Sequence, residues 1–186
     1  KCVLKCLFLA RIGRPDILWS VNTLAREVTK WTKACDKRLL KLISYIKTTE
    51  KYSQHCFLGD APEKCSIAMF CDASFAGDLQ DSKSTTGAYL CLVGPSTFVP
   101  ITWMCKKQGA VSHSSSEAEI ISLETSTRTE GIPALSLWEL IVKTFNRSHT
   151  AKAKQARAAS VPDRDGKEAV NLVLLEDNEA VIKMVT

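Results

Sequence analysis

The chain has 186 residues, of which 45% are hydrophobic and 24% charged, so it can form one domain with a sizeable core and is too apolar to be wholly disordered. The net charge of +5 is unevenly distributed. Residues 1–58 carry twelve Lys/Arg and four Asp/Glu, a net of +8, whereas residues 59–186 carry thirteen and sixteen, a net of −3. A basic arm beside an acidic core predicts a polyanion bound by the first part and divalent cations bound by the second. A solvated basic helix face is the alternative.

The cysteines and the first residues of the sequence predict the cellular compartment of the protein and whether it is a fragment. The eight cysteines form no CxxC pair and keep no zinc-like spacing with the three histidines. Cys71 and Cys91 lie inside apolar runs, where a free thiol behaves as a small hydrophobe, so we expect reduced thiols and an intracellular protein. The sequence contains no signal-peptide pattern and no apolar run long enough to span a bilayer, so we expect no membrane partner. Lys1 in place of Met suggests a fragment of something longer.

Residues 1–58 are predicted to be helical. Residues 14–17 open one helix, because Pro is favoured in the first helical turn and Asp16 complements the helix dipole. A second helix over about 34–48 has apolar residues on one side and basic residues largely elsewhere. The turn-rich residues 59–65 are assigned as a linker to the remainder, 66–186.

The run from residue 66 to residue 71 is apolar and ends at Asp72, which predicts a buried strand that presents a carboxylate at its end. Taken alone, Asp72 fits a turn cap better than a functional site. Two further strands are expected over about 86–93 and 98–104. Because short turns join the three strands, the sequence favours an antiparallel meander.

The segment Ser114-Ser115-Ser116-Glu117-Ala118-Glu119 has the serine and acid spacing of a helix start. Its two glutamates are two residues apart, so they point to nearly opposite sides and only one can face the first strand's end. We expect this helix to reach about residue 130, to be interrupted at 131–133 and to resume over 134–145.

The last third of the chain contains a polar segment and then a fourth strand. Residues 146–169 are rich in Ala, Lys, Arg and Ser, and we interpret them as a flexible basic loop. The apolar run 172–175 predicts a buried strand that is followed by Asp177. A helix is expected over about 180–185.

Carboxylates from Asp72, Asp177 and the helix start would therefore gather at one edge of a sheet. Such acids repel one another unless protons or cations intervene, and hard oxygen ligands favour Mg²⁺ or Mn²⁺. Two such ions about 3.5–4 Å apart can activate water and stabilise the leaving oxygen in phosphodiester cleavage. Separate caps and turns would explain each acid as well.

Several segments together resemble a known family. Five segments resemble, in order and spacing, the ribonuclease H domain of copia-type LTR retrotransposon Pol polyproteins. They are DASFAG at 72–77, KSTTG at 83–87, KKQ at 106–108, VSHSSSEAE at 111–119 and EDN at 176–178. Residues 13–17 and 37–47 resemble the end of the reverse transcriptase of the same polyprotein. The resemblance covers nearly the whole chain.

This resemblance implies an α/β fold, with a ribonuclease H-like mixed sheet flanked by helices over 66–186 and a helical reverse-transcriptase-derived segment over 1–58. It implies that the C-terminal part of the fold is missing and that 146–169 is an insertion. The implied activity is a two-metal endonuclease, a hydrolase that cleaves the RNA strand of RNA/DNA hybrids with two Mg²⁺ or Mn²⁺ ions. The implied partners are the hybrid and the remainder of the Pol polyprotein, in a cytoplasmic particle or the nucleus.

By the same resemblance, Asp72, Glu119 and Asp177 are the catalytic and metal-binding residues. Glu119 is preferred to Glu117 because the apolar pattern of the family's helix follows it. Expected nucleic-acid contacts are Lys37, Arg38, Lys41, Lys106, Lys107, Ser112, Ser114, Ser115 and Asn178. Glu176 departs from the family pattern, which has a small or apolar residue there. The alternative function is that of a decayed, non-catalytic retroelement fragment that at most binds nucleic acid.

Overall fold

The computed structural model describes residues 1–78, 81–153 and 170–185. Three helices come first, and the strands and remaining helices follow. In chain order the elements are α1 (Cys2–Ile12), α2 (Leu18–Arg26), α3 (Lys33–Thr48), β1 (Phe57–Leu58), β2 (Ser66–Ser74), β3 (Thr85–Gly94), β4 (Thr97–Lys107), α4 (Ser115–Ser126), α5 (Ile132–Ala153), β5 (Leu172–Leu175) and α6 (Glu179–Val185). Within these ranges, none of the helices combines the length and the apolar character that a bilayer crossing requires.

The strands form one mixed sheet in the order β1-β4-β3-β2-β5. Strands β2, β3 and β4 are consecutive antiparallel neighbours, so the predicted meander is confirmed. Strand β5 is parallel to β2, with Leu175 opposite Phe70. Because β5 ends opposite Phe70, the residues that follow β5 come alongside the last residues of β2, which include Asp72. The α/β class with a mixed sheet and flanking helices is confirmed.

The two faces of β2 have different surroundings. Ile67, Met69 and Cys71 are buried in a core that also contains Leu123 of α4 and Val181 of α6. Successive side chains of a strand point to opposite faces, so Phe70 and Asp72 lie on the other face, and both are exposed. The sheet therefore separates an apolar side under α4 from a side on which Asp72 is accessible.

The N-terminal helices form a second core and lie against β4. This core includes Ala10 of α1 and Val21 of α2, both fully buried, and Trp103 of β4 packs against it. The Trp103 Nε1–H donates a hydrogen bond to the Ala10 carbonyl oxygen at 2.8 Å, and the amide of Asn22 donates to the Cys105 carbonyl oxygen at 2.8 Å. The helical segment is thus bonded to the sheet through β4.

The structure differs from the sequence expectations at the helix junction and within segment 146–169. The interruption expected at 131–133 is absent: a π-helical turn, Thr127–Gly131, leads directly into α5, where Pro133 is tolerated because it lies in the first helical turn. A Cβ at Gly131 would lie 3.0 Å from Cδ2 of Leu172, so a glycine permits the close approach to β5. Helix α5 continues to Ala153, so residues 146–153 are helical and not loop, although Asn146, Ser148, His149 and Thr150 are poor helix formers. Residues 154–169 lie outside the described residues.

Candidate metal centre

Asp72 and Asp177 reach the same edge of the sheet from neighbouring strands. Asp72 is near the end of β2, and Asp177 follows the last residue of β5 by two positions. Because Phe70 pairs with Leu175, the continuation of that register places the two aspartates side by side. Both side chains are exposed. Local sequence placed each acid at a strand end, and the parallel pairing joins the two ends.

Helix α4 contributes Glu119. The Ser114 hydroxyl accepts a hydrogen bond from the backbone N–H of Glu117 at 3.1 Å, and the Glu117 carboxylate accepts one from the N–H of His113 at 2.6 Å. Glu117 is therefore used at the helix start, whereas Glu119 faces the sheet and is only 7% exposed. The Ser122 hydroxyl donates to the carbonyl oxygen of Asp72 at 2.7 Å, which fixes α4 against β2 beside the carboxylates.

Asp72, Glu119 and Asp177 each offer one carboxylate oxygen, and these oxygens all lie within 4.8 Å of one another. Burial, and then the charges of Glu176 and the two aspartates, raise the pKa of Glu119 to about 7. Its Oε2 is buried and has no hydrogen-bond partner. A buried carboxylate oxygen without a hydrogen-bond partner destabilises the folded state unless a proton or a cation binds it. Clustered carboxylate oxygens are the donor set that Mg²⁺ and Mn²⁺ prefer, so these residues fit a divalent cation.

Glu176 lies beside this cluster and was not among the predicted site residues. Its Oε1 accepts a hydrogen bond from the N–H of Asn178 at 3.2 Å, whereas its Oε2 is buried without a partner. Burial, together with the charges of Asp177 and Asp72, raises the pKa of its carboxyl group. The sequence signal for Glu176 is its position as the first polar residue after an apolar strand.

The basic residues predicted to contact nucleic acid have different surroundings. Lys37 and Lys41 are exposed on α3, and Lys106 is exposed near the end of β4. Arg38 is hydrogen-bonded and ion-paired with Glu27.

Lys107 is committed to acids of the loop between β2 and β3. Its Nζ lies 2.6 Å from a carboxylate oxygen of Asp78 and 2.7 Å from one of Asp81. The ion pairs of Lys107 therefore hold this loop against β4.

Three of the predicted polar contacts serve local structure. Ser112 is buried and its hydroxyl donates to the Gln108 side-chain oxygen at 3.1 Å, while Ser114 caps α4. The Asn178 side-chain oxygen accepts hydrogen bonds from the backbone N–H groups of Ala180 and Val181 at 3.0 and 3.2 Å, so it caps α6. Ser115 is exposed in the first turn of α4. Contact of any of these residues with nucleic acid stays a prediction.

Comparisons with known proteins bear on the origin of the chain. No family model matches it, and no solved structure matches it. It is 31% identical over 117 residues to a transposon Ty5-1 protein of Saccharomyces cerevisiae, across 62% of this chain and 36% of that protein. It is 33% identical over 123 residues to the retrovirus-related Pol polyprotein from transposon RE1 of Arabidopsis thaliana, across 66% of this chain and 8% of the polyprotein. The chain is similar to retrotransposon Pol polyproteins.

This similarity supports the retrotransposon part of the predicted resemblance. The chain is also 27% identical over 123 residues to a protein of Plasmopara viticola named secreted RxLR effector protein 161, across 66% of this chain and 81% of that protein. The chain spans little more than a third of the Ty5-1 protein and a small part of the RE1 polyprotein. The assignment to the reverse transcriptase and ribonuclease H regions stays a prediction.

Proposed function

We propose that the chain is a ribonuclease H-type endonuclease derived from a retrotransposon Pol polyprotein, and that it cleaves the RNA strand of RNA/DNA hybrids. The observation that supports this proposal is the convergence of Asp72, Glu119 and Asp177, whose carboxylate oxygens lie within 4.8 Å of one another. Similarity to Pol polyproteins is consistent with the same activity. The remainder of such a polyprotein would be its covalent partner.

In this proposal the three acids hold Mg²⁺ or Mn²⁺, two ions according to the family resemblance. When bound, the ions would supply an activated water and neutralise the developing charge on the leaving oxygen. The chain itself positions the ligands. The hydroxyl of Ser122 ties α4 to β2 at Asp72, and the cap formed by Asn178 fixes the turn that carries Asp177. Ligands held on different elements by such bonds need little rearrangement when they bind an ion.

The basic surface of α3 would bind the phosphates of the hybrid. Lys37 and Lys41 are exposed, and they lie one turn apart on the helix. Lysine–phosphate contacts supply affinity that depends strongly on salt and carries no sequence information. The proposed division of labour is therefore phosphate binding by α3 and hydrolysis at the carboxylates.

The test is release of labelled RNA from an RNA/DNA hybrid in Mg²⁺ by the wild-type chain, Asp72→Asn and Glu124→Gln. Glu124 is a suitable control because it lies exposed on α4 and pairs only with Arg128 among the described ion pairs. We expect Asp72→Asn to abolish release and Glu124→Gln to leave it unchanged. Activity retained by Asp72→Asn would refute the assignment. A folded wild-type chain that binds Mn²⁺ and leaves the hybrid intact would favour the non-catalytic alternative.

A further inference from the structure

Two carboxylate oxygens in the described part of the chain are buried without a hydrogen-bond partner, Glu119 Oε2 and Glu176 Oε2. Glu119 is accounted for by the proposed metal centre. Glu176 is not, although its other oxygen is engaged by the N–H of Asn178. A buried acceptor that is left unpaired costs roughly 1–3 kcal/mol, and more when it is charged, so two of them in one region call for a common partner.

The position of Glu176 follows from the strand register. Phe70 pairs with Leu175, so the next residues along the two strands bring Glu176 alongside Cys71 and Asp177 alongside Asp72. Because side chains alternate between faces, Glu176 belongs to the side of the sheet that α4 covers, and Asp177 belongs to the accessible side. Consistent with this placement, the charges of Glu176 and Glu119 both act on the buried thiol of Cys71. Glu176 therefore lies outside the group of three carboxylates that converge within 4.8 Å, on the side of the sheet that α4 covers, and its charge acts on Glu119.

Among the described residues, the charges that act on these two glutamates are negative. Glu176 is the largest charged influence on Glu119, ahead of both aspartates, and those aspartates are the charges that act on Glu176. Buried like charges disfavour each other, and removing them from water adds to the cost. A divalent cation would offset both penalties, because it satisfies the unpaired oxygens and neutralises the cluster.

We propose that Glu176 is a fourth carboxylate of the metal centre and that, together with Glu119, it binds a divalent cation on the α4 side of the cluster. This inference rests on the proposed function, since it assigns a further ligand to the same centre. Glu119 would then face both groups of ligands, the aspartates on one side and Glu176 on the other.

The test compares Mn²⁺ binding by the wild-type chain, Glu176→Gln and Glu179→Gln, using calorimetry for affinity and stoichiometry and the unfolding midpoint with and without Mn²⁺. Glu179 is a matched control because it is the first residue of α6 and its side chain is largely exposed. We expect Glu176→Gln to bind Mn²⁺ at least about tenfold more weakly, or to lose one of two ions, as loss of a metal-site partner does. Its metal-free midpoint should rise, because a half-buried carboxylate with one unpaired oxygen has become a neutral amide of the same shape. Glu179→Gln should change neither quantity.

Unchanged Mn²⁺ affinity and stoichiometry in Glu176→Gln would overturn the inference, even if the midpoint moved, because a purely structural role predicts that pattern. Should Glu176→Gln fail to fold, Glu176→Asp replaces it. The shorter side chain keeps the charge but withdraws the oxygen, so weaker binding supports the inference and unchanged binding overturns it. Asp72→Asn separates the two proposals. If it loses Mn²⁺ while Glu176→Gln does not, only this inference fails; if it binds Mn²⁺ normally, the metal centre itself is wrong.

Discussion

Replacement of Glu119 by glutamine should change the pH dependence of stability in a metal-free protein. The folded state raises the pKa of this carboxyl group from 4.5 to about 7, first through burial and then through the charges of Glu176, Asp72 and Asp177. Because each pKa unit corresponds to about 1.4 kcal/mol, this difference amounts to about 3 kcal/mol. The side chain is only 7% exposed, so solvent screens little of it.

The sign follows from proton binding. Between pH 4.5 and pH 7 the folded chain keeps the proton on Glu119 while the unfolded chain releases it, so the free energy of unfolding falls as pH rises. The stability that the protonated group contributes is complete below pH 4.5 and is lost as pH rises through about 7. Glutamine is neutral throughout and resembles the protonated glutamate. The two proteins should therefore be about equally stable near pH 4, and Glu119→Gln should be more stable by about 3 kcal/mol near pH 8.

The assay is urea unfolding of the wild-type chain, Glu119→Gln and Glu124→Gln in a chelator, at intervals between pH 4 and pH 8. Glu124→Gln is the control for loss of a glutamate from the same helix, and its difference from wild type should not grow with pH in this way. If the free energies of unfolding of Glu119→Gln and wild type differed by the same amount at every pH, the raised pKa of Glu119 would be refuted. With Mn²⁺ added near pH 8, the order should reverse if the cation binds the wild-type cluster, because binding stabilises only the folded state that binds it.

Three other changes test the framework of the site. Ser122→Ala removes the hydroxyl that donates to the Asp72 carbonyl oxygen, so it should lower the free energy of unfolding by about 1–3 kcal/mol in urea titrations. Trp103→Phe removes the indole donor that bonds α1, which should cost about 1 kcal/mol in the same assay. Joint replacement of Lys37 and Lys41 by glutamine should weaken hybrid binding and flatten the slope of log affinity against log salt by about 1.8 if both contact phosphates; an unchanged slope would show that they do not.

The strand ends were predictable because each lies in an uninterrupted local pattern. An apolar run that stops at an acid identifies β2 with Asp72 and β5 with Glu176, one residue before Asp177, without reference to the rest of the chain. The expected burial of β5 is wrong, because three of its four residues are exposed. No local pattern predicts the parallel pairing of these two strands, because the pairing joins residues that are far apart in the sequence. The short strand β1 (Phe57–Leu58) was missed for the same reason, because it exists only through its pairing with β4.

The start of α4 shows where local spacing is ambiguous. Ser114 with Glu117 and Ser116 with Glu119 have the same capping spacing, so the sequence allowed either serine as the cap. The structure uses Ser114, which leaves Glu119 facing the sheet. The sequence pattern also does not predict which charged side chains pair in the folded chain. Lys107 was expected to contact phosphate, but its Nζ lies 2.6 Å from a carboxylate oxygen of Asp78.

The pairing of β5 with β2 also has a consequence for the order of folding. Antiparallel strands β2, β3 and β4 are joined by short connections and need little loop closure, whereas β5 must find β2 about a hundred residues back along the chain. Contacts between residues so far apart in sequence form slowly, because the chain loses the entropy of closing the loop before strand pairing stabilises the product. Asp177 would thus join Asp72 only in the last stage, and in a refolding experiment the uptake of Mn²⁺ should lag behind the formation of the meander.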